Sequence, residues 1–400
     1  MSDERDRLSE LPPELRELIV EKCDYLSRCS LSRTCRALKS TVVASKTVIP
    51  AVKIKERRNG VHFEFTFRLF KEISLKFERH GQSATRIYRR DKEDVVLEGT
   101  DPIAEALSLF HRVCVQKHLT VGYLGIETVG AVPELTEQLR ALFTRQSDSD
   151  PIKIRKISWQ RDGISDLAWT FLEFADKLVL EELIINGEIE EKVNIFGDPQ
   201  RRAIIQKLDR VEVHPEIEET ESELILSLIA SRIHLKSQHF TGELIEKMIE
   251  KIAKNRKTGS YFILKKTEQS DFLQLVPSGF QKAESIEKNV NAYTMRLKDD
   301  DTAISLKMGS FGVYADVQSF KISEERTMMA QLREKCLTRS NCFCQQPTFL
   351  PEDDSSEFDD YDEYVDDDSV DYDYERLEMD FNGEFDDFDD DDDDFNEEED

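Results

Sequence analysis

The stretch ESELILSLIASRIHLKSQHFTGELIEKMIEKIAKNRKTGSYFILKK, residues 221–266, changes period three times in 46 residues. ESELILSLIA and GELIEKMIEKIAK place apolar residues at steps of three and four, the signature of amphipathic helices. SRIHLK and YFILKK are short and rich in β-branched and aromatic residues, as strands are. Helix, strand, helix, strand in this order predicts parallel strands joined by helical crossovers.

The same unit recurs upstream. PIAEALSLFHRV, VPELTEQLRALF, SDLAWTFLEFAD and PQRRAIIQKL read as helices, and HLTVGYL, IRKISW, LVLEELII and DRVEV as the strands that follow them. Successive runs begin about 23 to 35 residues apart, the spacing of a leucine-rich-repeat-like or other helix–strand solenoid. No such unit buries its apolar face alone, so neighbours stack. An α/β repeat domain over 100–266 is expected, with an ordinary α/β sandwich as the alternative.

Outward from that domain the period changes again. GVHFEFTFRLF alternates from Val61 to Phe67, and EISLKFERHGQSATRIYRR continues with a break at Gly81, so 52–98 reads as a β-rich connector. Its cations Lys53, Lys55, Arg57 and Arg58 fit a solvated face better than a nucleic-acid contact, because acid matches them overall. AYTMRL and TAISLKMGSFGVYADV mark a further β-rich region, 267–335, able to close the sheet edge. A linker, 336–351, follows.

The C-terminus is of a different kind. Residues 352–400 hold 29 Asp and Glu against one basic residue, Arg376, whereas 1–351 hold 54 of each sign, so the net charge of −28 belongs to this tail. Aromatics such as Phe358, Tyr361 and Phe388 stand at intervals in it. Self-repulsion predicts disorder. The tail repels phosphates and so argues against nucleic acid; it could engage a basic partner or act only as a solubilising segment.

No constellation for catalysis is found. Glycine-rich phosphate loops, the G-x-S-x-G elbow and H-E-x-x-H are missing from the sequence. His62, His80, His111, His118, His214, His234 and His239 are dispersed. Cys336, Cys342 and Cys344 lack the paired C-x2-C spacing of structural zinc sites, so no metal and no cofactor is expected. Seven scattered cysteines, a charged start without an apolar h-region, and no run long enough to span a bilayer fit a reduced chain of cytoplasm or nucleus, off the membrane.

At the N-terminus, LPPELRELIVEKCDYLSRCSLSRTCRALKS begins with prolines suited to a first helical turn, continues with Leu15, Leu18, Ile19 and Cys23 at helical steps, and breaks at DYLSRCS. A second helix would then place Leu31, Cys35, Leu38 and Val42 on one face. Some 40 residues bury too little surface to fold alone, so either a partner or the rest of the chain finishes this core.

These residues resemble an F-box, over 8–48. The resemblance implies a three-helix unit that docks on the Skp-type adaptor of a cullin–RING ubiquitin ligase, with Leu11, Pro12, Leu15, Leu18, Ile19, Leu31, Cys35 and Leu38 as anchors. A helical hairpin packed on its own chain is the alternative. F-box order together with IRKISW, LVLEELIING and the 221–266 stretch resembles the nematode F-box proteins that carry an FTH-type domain. That resemblance implies a non-catalytic substrate receptor, α+β overall, which recruits an unidentified target protein through the α/β domain. The competing expectation is a chaperone-like interaction protein that binds basic clients through its acidic tail.

Overall fold

The computed structural model describes residues 11–319 apart from 58, 69–70, 91, 129–132, 146–150, 162–165, 188–191, 270–271, 273–277, 284–289 and 298–301. The tail 352–400, the linker with its three cysteines, and most of the acid therefore lie outside the described residues. Two compact units are present: one holds the N-terminal helices up to Val42, the other starts at Val43.

The N-terminal helices are α1 (Pro13–Lys22), α2 (Tyr25–Thr34) and α3 (Arg36–Ala44). Pro13 sits in the first turn of α1, where its missing N–H costs nothing, and Leu15 and Arg16 N–H groups donate to Pro12 O at 3.0 and 3.1 Å. The break expected across DYLSRCS is confined to Cys23 and Asp24. Asp24 accepts from Ser27 N–H at 2.8 Å, and this cap starts α2 at once. The expected second helix is likewise two: Cys35 is extended, at φ −160° and ψ 160°, and its Sγ accepts from Leu38 N–H at 3.5 Å to open α3. Leu31 and Leu38 thus belong to different helices.

Among the described residues the second unit is built on one sheet of fifteen strands. Its centre is β1 (Thr47–Arg57), β6 (Leu119–Thr128), β7 (Ile154–Arg161), β8 (Glu182–Asn186), β9 (Arg210–Glu216), β10 (Arg232–Lys236) and β11 (Tyr261–Lys265), all mutually parallel. β6 to β11 are the six strand-like runs of the sequence. β2 (Gly60–Arg68), β3 (Lys71–His80), β4 (Ala84–Arg89) and β5 (Val95–Glu98) form an antiparallel wing on β1. β15 (Gly312–Ser319), β14 (Thr302–Gly309), β13 (Val290–Arg296) and β12 (Gln281–Ala283) form the opposite wing on β11. The strands of 52–98 and of 267–319 thus continue the repeat's own sheet.

Among the described residues six helices connect or flank the central strands: α4 (Pro102–Cys114), α5 (Pro133–Arg145), α6 (Leu167–Phe174), α7 (Pro199–Ile205), α8 (Ser222–Ser227) and α9 (Gly242–Asn255). From β6 to β11 spatial order follows chain order, and right-handed crossovers then put every connecting helix on one side of the sheet. Consecutive helices touch, α4 to α5, α5 to α6 and α6 to α7, as one layer requires. Caps fix where they begin: Asp101 accepts from Ile103 and Ala104 N–H, both at 3.0 Å, and Asp198 from Arg201 N–H at 2.8 Å.

One burial pattern repeats along the centre. Ile49, Val52 and Ile54 are buried, and so are Val121, Leu124 and Ile126; Ile154, Ile157 and Trp159; Leu180, Leu183 and Ile185; Leu208, Val211 and Val213; Ala230, Ile233 and Leu235. Each set follows apolar-x-x-apolar-x-apolar, so two residues at every strand entrance face away from the helices before simple alternation resumes. Aromatic contacts join this inner face to the helix layer: Phe63 to Phe110 at 5.9 Å, Phe110 to Phe171 at 5.4 Å, and Trp159 to Trp169 at 5.5 Å. Trp159 Nε1–H donates to Thr128 Oγ1 at 3.2 Å, which satisfies both buried polar atoms.

Candidate protein-interaction surfaces

Two places expose side chains suited to holding another protein, one on each unit. On the helical unit, Leu15 is 46 % and Leu18 52 % exposed, one turn apart on α1, beside exposed Pro12 and half-buried Leu11 and Ile19. Leucines so exposed on an amphipathic helix are uncovered contact area. Leu31 and Cys35 are half-buried. Leu38 differs from the other expected anchors: it is fully buried by the chain itself and offers no surface. The helix break at Cys35 is the reason, because α3 starts its own period there instead of continuing the face of Leu31.

Arg28 was not singled out by sequence, yet it ties α1 to α2. It is buried, and its Nε donates to Cys23 O at 2.9 Å, one of the free carbonyls at the C-terminal end of α1. Burial lowers its pKa, and the charges of Cys23, Glu21 and Asp24 oppose that shift. An arginine four residues after an Asp cap was the available signal.

On the second unit, the sheet face away from the helices is polar, and parallel pairing sets its residues in rows. Tyr123, Lys156, Glu182, Arg210, Arg232 and Tyr261 stand in one register row from β6 to β11, continued by Asp316 on β15. Charges in this row neutralise one another. Glu182 meets Lys156 at 3.7 Å, Arg210 at 3.3 Å and Arg232 at 2.9 Å, while Arg232 also reaches Asp209 at 3.1 Å.

Glu212 lies one row further on. Burial raises its pKa, but hydrogen bonds with His214, Arg210 and Tyr261 outweigh that and hold the carboxyl well below the usual range. His234, its register partner, is buried against His214 with ring centroids 4.3 Å apart. Burial first, then the charges of His214 and Lys265, brings His234 down to about 3, so it is neutral at physiological pH.

Cys114 is fully buried and its thiol is pushed up by burial, while Cys23, Cys29 and Cys35 are half-buried. Among the described residues no group of His, Cys, Asp and Glu could hold a metal ion, and no helix is long and apolar enough to cross a membrane.

Residues 8–47 match the family model of the F-box domain. No curated protein and no solved structure matches the chain. The N-terminal helices therefore constitute an F-box domain, followed by a strand-rich sheet domain. An F-box supports a role as the adaptor-binding subunit of an SCF-type ubiquitin ligase, and F-box proteins are typically non-catalytic substrate receptors.

Proposed function

We propose that this chain is the substrate-recognition subunit of an SCF-type ligase, in which the F-box holds a Skp-type adaptor, and through it the cullin, while the sheet domain recruits the target. The observation that carries the reading is the exposed Leu15 and Leu18 pair within the matched F-box. Leu11, Pro12, Ile19, Leu31 and Cys35 complete the docking surface, and Leu38 supports it from within. The chain performs no bond chemistry of its own: it raises the effective concentration of target lysines near a charged ubiquitin carrier.

The sheet domain is leucine-rich-repeat-like in this reading. The recurring apolar-x-x-apolar-x-apolar burial and the single helix layer support that assignment. It corresponds to the FTH-type region of the nematode F-box proteins, and the chain works in cytoplasm or nucleus. Co-purification of the intact protein with a Skp-type adaptor and a cullin tests the proposal. Recovery of both with the unaltered protein and of neither with Leu18→Asp is the expected outcome; recovery of neither with the unaltered protein overturns it.

A further inference from the structure

The open face of the sheet neutralises its charges almost everywhere. Lys55 meets Glu64 at 2.5 Å, Lys53 meets Glu64 at 3.7 Å, Arg210 meets Glu212 at 2.9 Å, and Lys257 meets Asp209 at 3.2 Å. Lys236 and Lys265 break this rule. They are direct register partners on β10 and β11, and neighbouring strands set such residues about 4.8 Å apart. Among the described residues neither has an ion pair. The one carboxylate in register with Lys236, Glu216, is engaged by Lys192 at 2.7 Å.

The surroundings favour an extra negative charge. Lys265 is itself held below the ordinary lysine pKa, by burial first and then by Lys236. Beyond Lys265 the next strand offers only Gly312, where a Cβ would lie 2.8 Å from Leu264 O and 3.4 Å from Lys265 Cγ. Among the described residues no acidic side chain of β15 is in register with Lys265. The neighbour of Gly312 is Phe311, 59 % exposed at the β14–β15 turn. Two like charges held side by side at a cost in solvation are stabilised when a carboxylate bridges them, because charge-assisted hydrogen bonds are the strong ones.

We infer that Lys236 and Lys265 form the anchor of a docking surface for an acidic peptide segment of a partner protein, one carboxylate bridging the two ammonium groups and an apolar residue beside it meeting Phe311. The inference names the class of target for the sheet face and so rests on the reading of that face as the recruiting surface. It excludes lysine-rich clients, which this pair repels.

Fluorescence polarisation of a labelled Glu- and Tyr-containing peptide on the full chain tests it. Lys236→Gln with Lys265→Gln should weaken binding about tenfold or more, while Lys→Arg at both positions retains it. Lys53→Gln, on the same face but already paired, should leave binding unchanged. Binding should fall as salt rises. No binding by the unaltered chain, or equal losses from the Lys53 variant and the double variant, overturns the inference. Preference for single-stranded nucleic acid over the peptide overturns it as well. Leu18→Asp should bind the peptide normally, so a failure of adaptor docking is separable from a failure of this surface.

Discussion

Arg210 and Arg232 face each other on neighbouring parallel strands and share one carboxylate, Glu182, at 3.3 and 2.9 Å. Two guanidinium groups in register would repel if left alone, and all three side chains are mostly shielded from water. Glu182→Gln keeps the shape but removes the charge that reconciles the two arginines. Stability should fall by about 2 kcal/mol, read as a lower urea midpoint with unchanged slope. An unaltered midpoint would show that Asp209 and Glu212 suffice.

Leu18 and Leu38 separate interface from interior within the F-box. Leu18 is 52 % exposed, so Leu18→Asp should change stability by no more than about 0.5 kcal/mol and abolish adaptor binding. Leu38→Ala empties a fully buried site and should cost about 2–5 kcal/mol, with adaptor binding lost only as the helices unfold. Thermal melts followed by helical circular dichroism, beside pull-downs, distinguish the two. Reversed results would place Leu38 at the adaptor.

How much of this was readable in advance follows from where the information sits along the chain. The runs at 118–124, 154–159, 178–185, 209–213, 231–236 and 261–266 became β6 to β11, because their apolar content is local and their length suits strands. The parallel pairing of β1 with β6 was not readable: it joins residues about 70 apart, and no local pattern encodes a partner. The helix boundary at Cys23 and Asp24 was misplaced by a few residues because apolar spacing does not show a cap, whereas Asp24 followed by Ser27 does. The lysine pair escaped notice for a third reason. Lys236 and Lys265 become neighbours only through register, and they stand out only once the other charges on that face are seen to be paired.

Gly122 marks the join between the first wing and the repeat. β1 and β6 pair at Ile49 with Val121 and again at Ala51 with Tyr123, and between them Pro50 has no N–H to offer. A Cβ at Gly122 would stand 2.8 Å from Pro50 O, a backbone atom that cannot swing aside. Gly122→Ala should therefore destabilise the sheet by about 1–3 kcal/mol, although it normally stabilises extended chain by reducing unfolded-state freedom. Gly81→Ala, with nothing within 4 Å but φ at +63°, should cost about 1 kcal/mol. Tryptophan fluorescence is the suitable readout, since Trp159 and Trp169 both lie in this unit.

His234 makes the sheet domain sensitive to acid in a window of its own. Its folded-state pKa of about 3 lies below the ordinary 6.5, so the fold holds it neutral and unfolding lets it protonate. Between those values the unfolded chain binds more protons, and stability falls as pH falls. The loss should reach about 2 kcal/mol by about pH 5, at 1.36 kcal/mol per unit. Glu212 acts in the same direction but later, because its carboxyl, depressed in the fold, gives up stability only below the ordinary 4.5. Urea midpoints at about pH 7 and about pH 5 check the first step: His234→Gln should lose the drop between them and keep the steeper loss below pH 4.5. An equal drop in the variant would show that His234 is not its source.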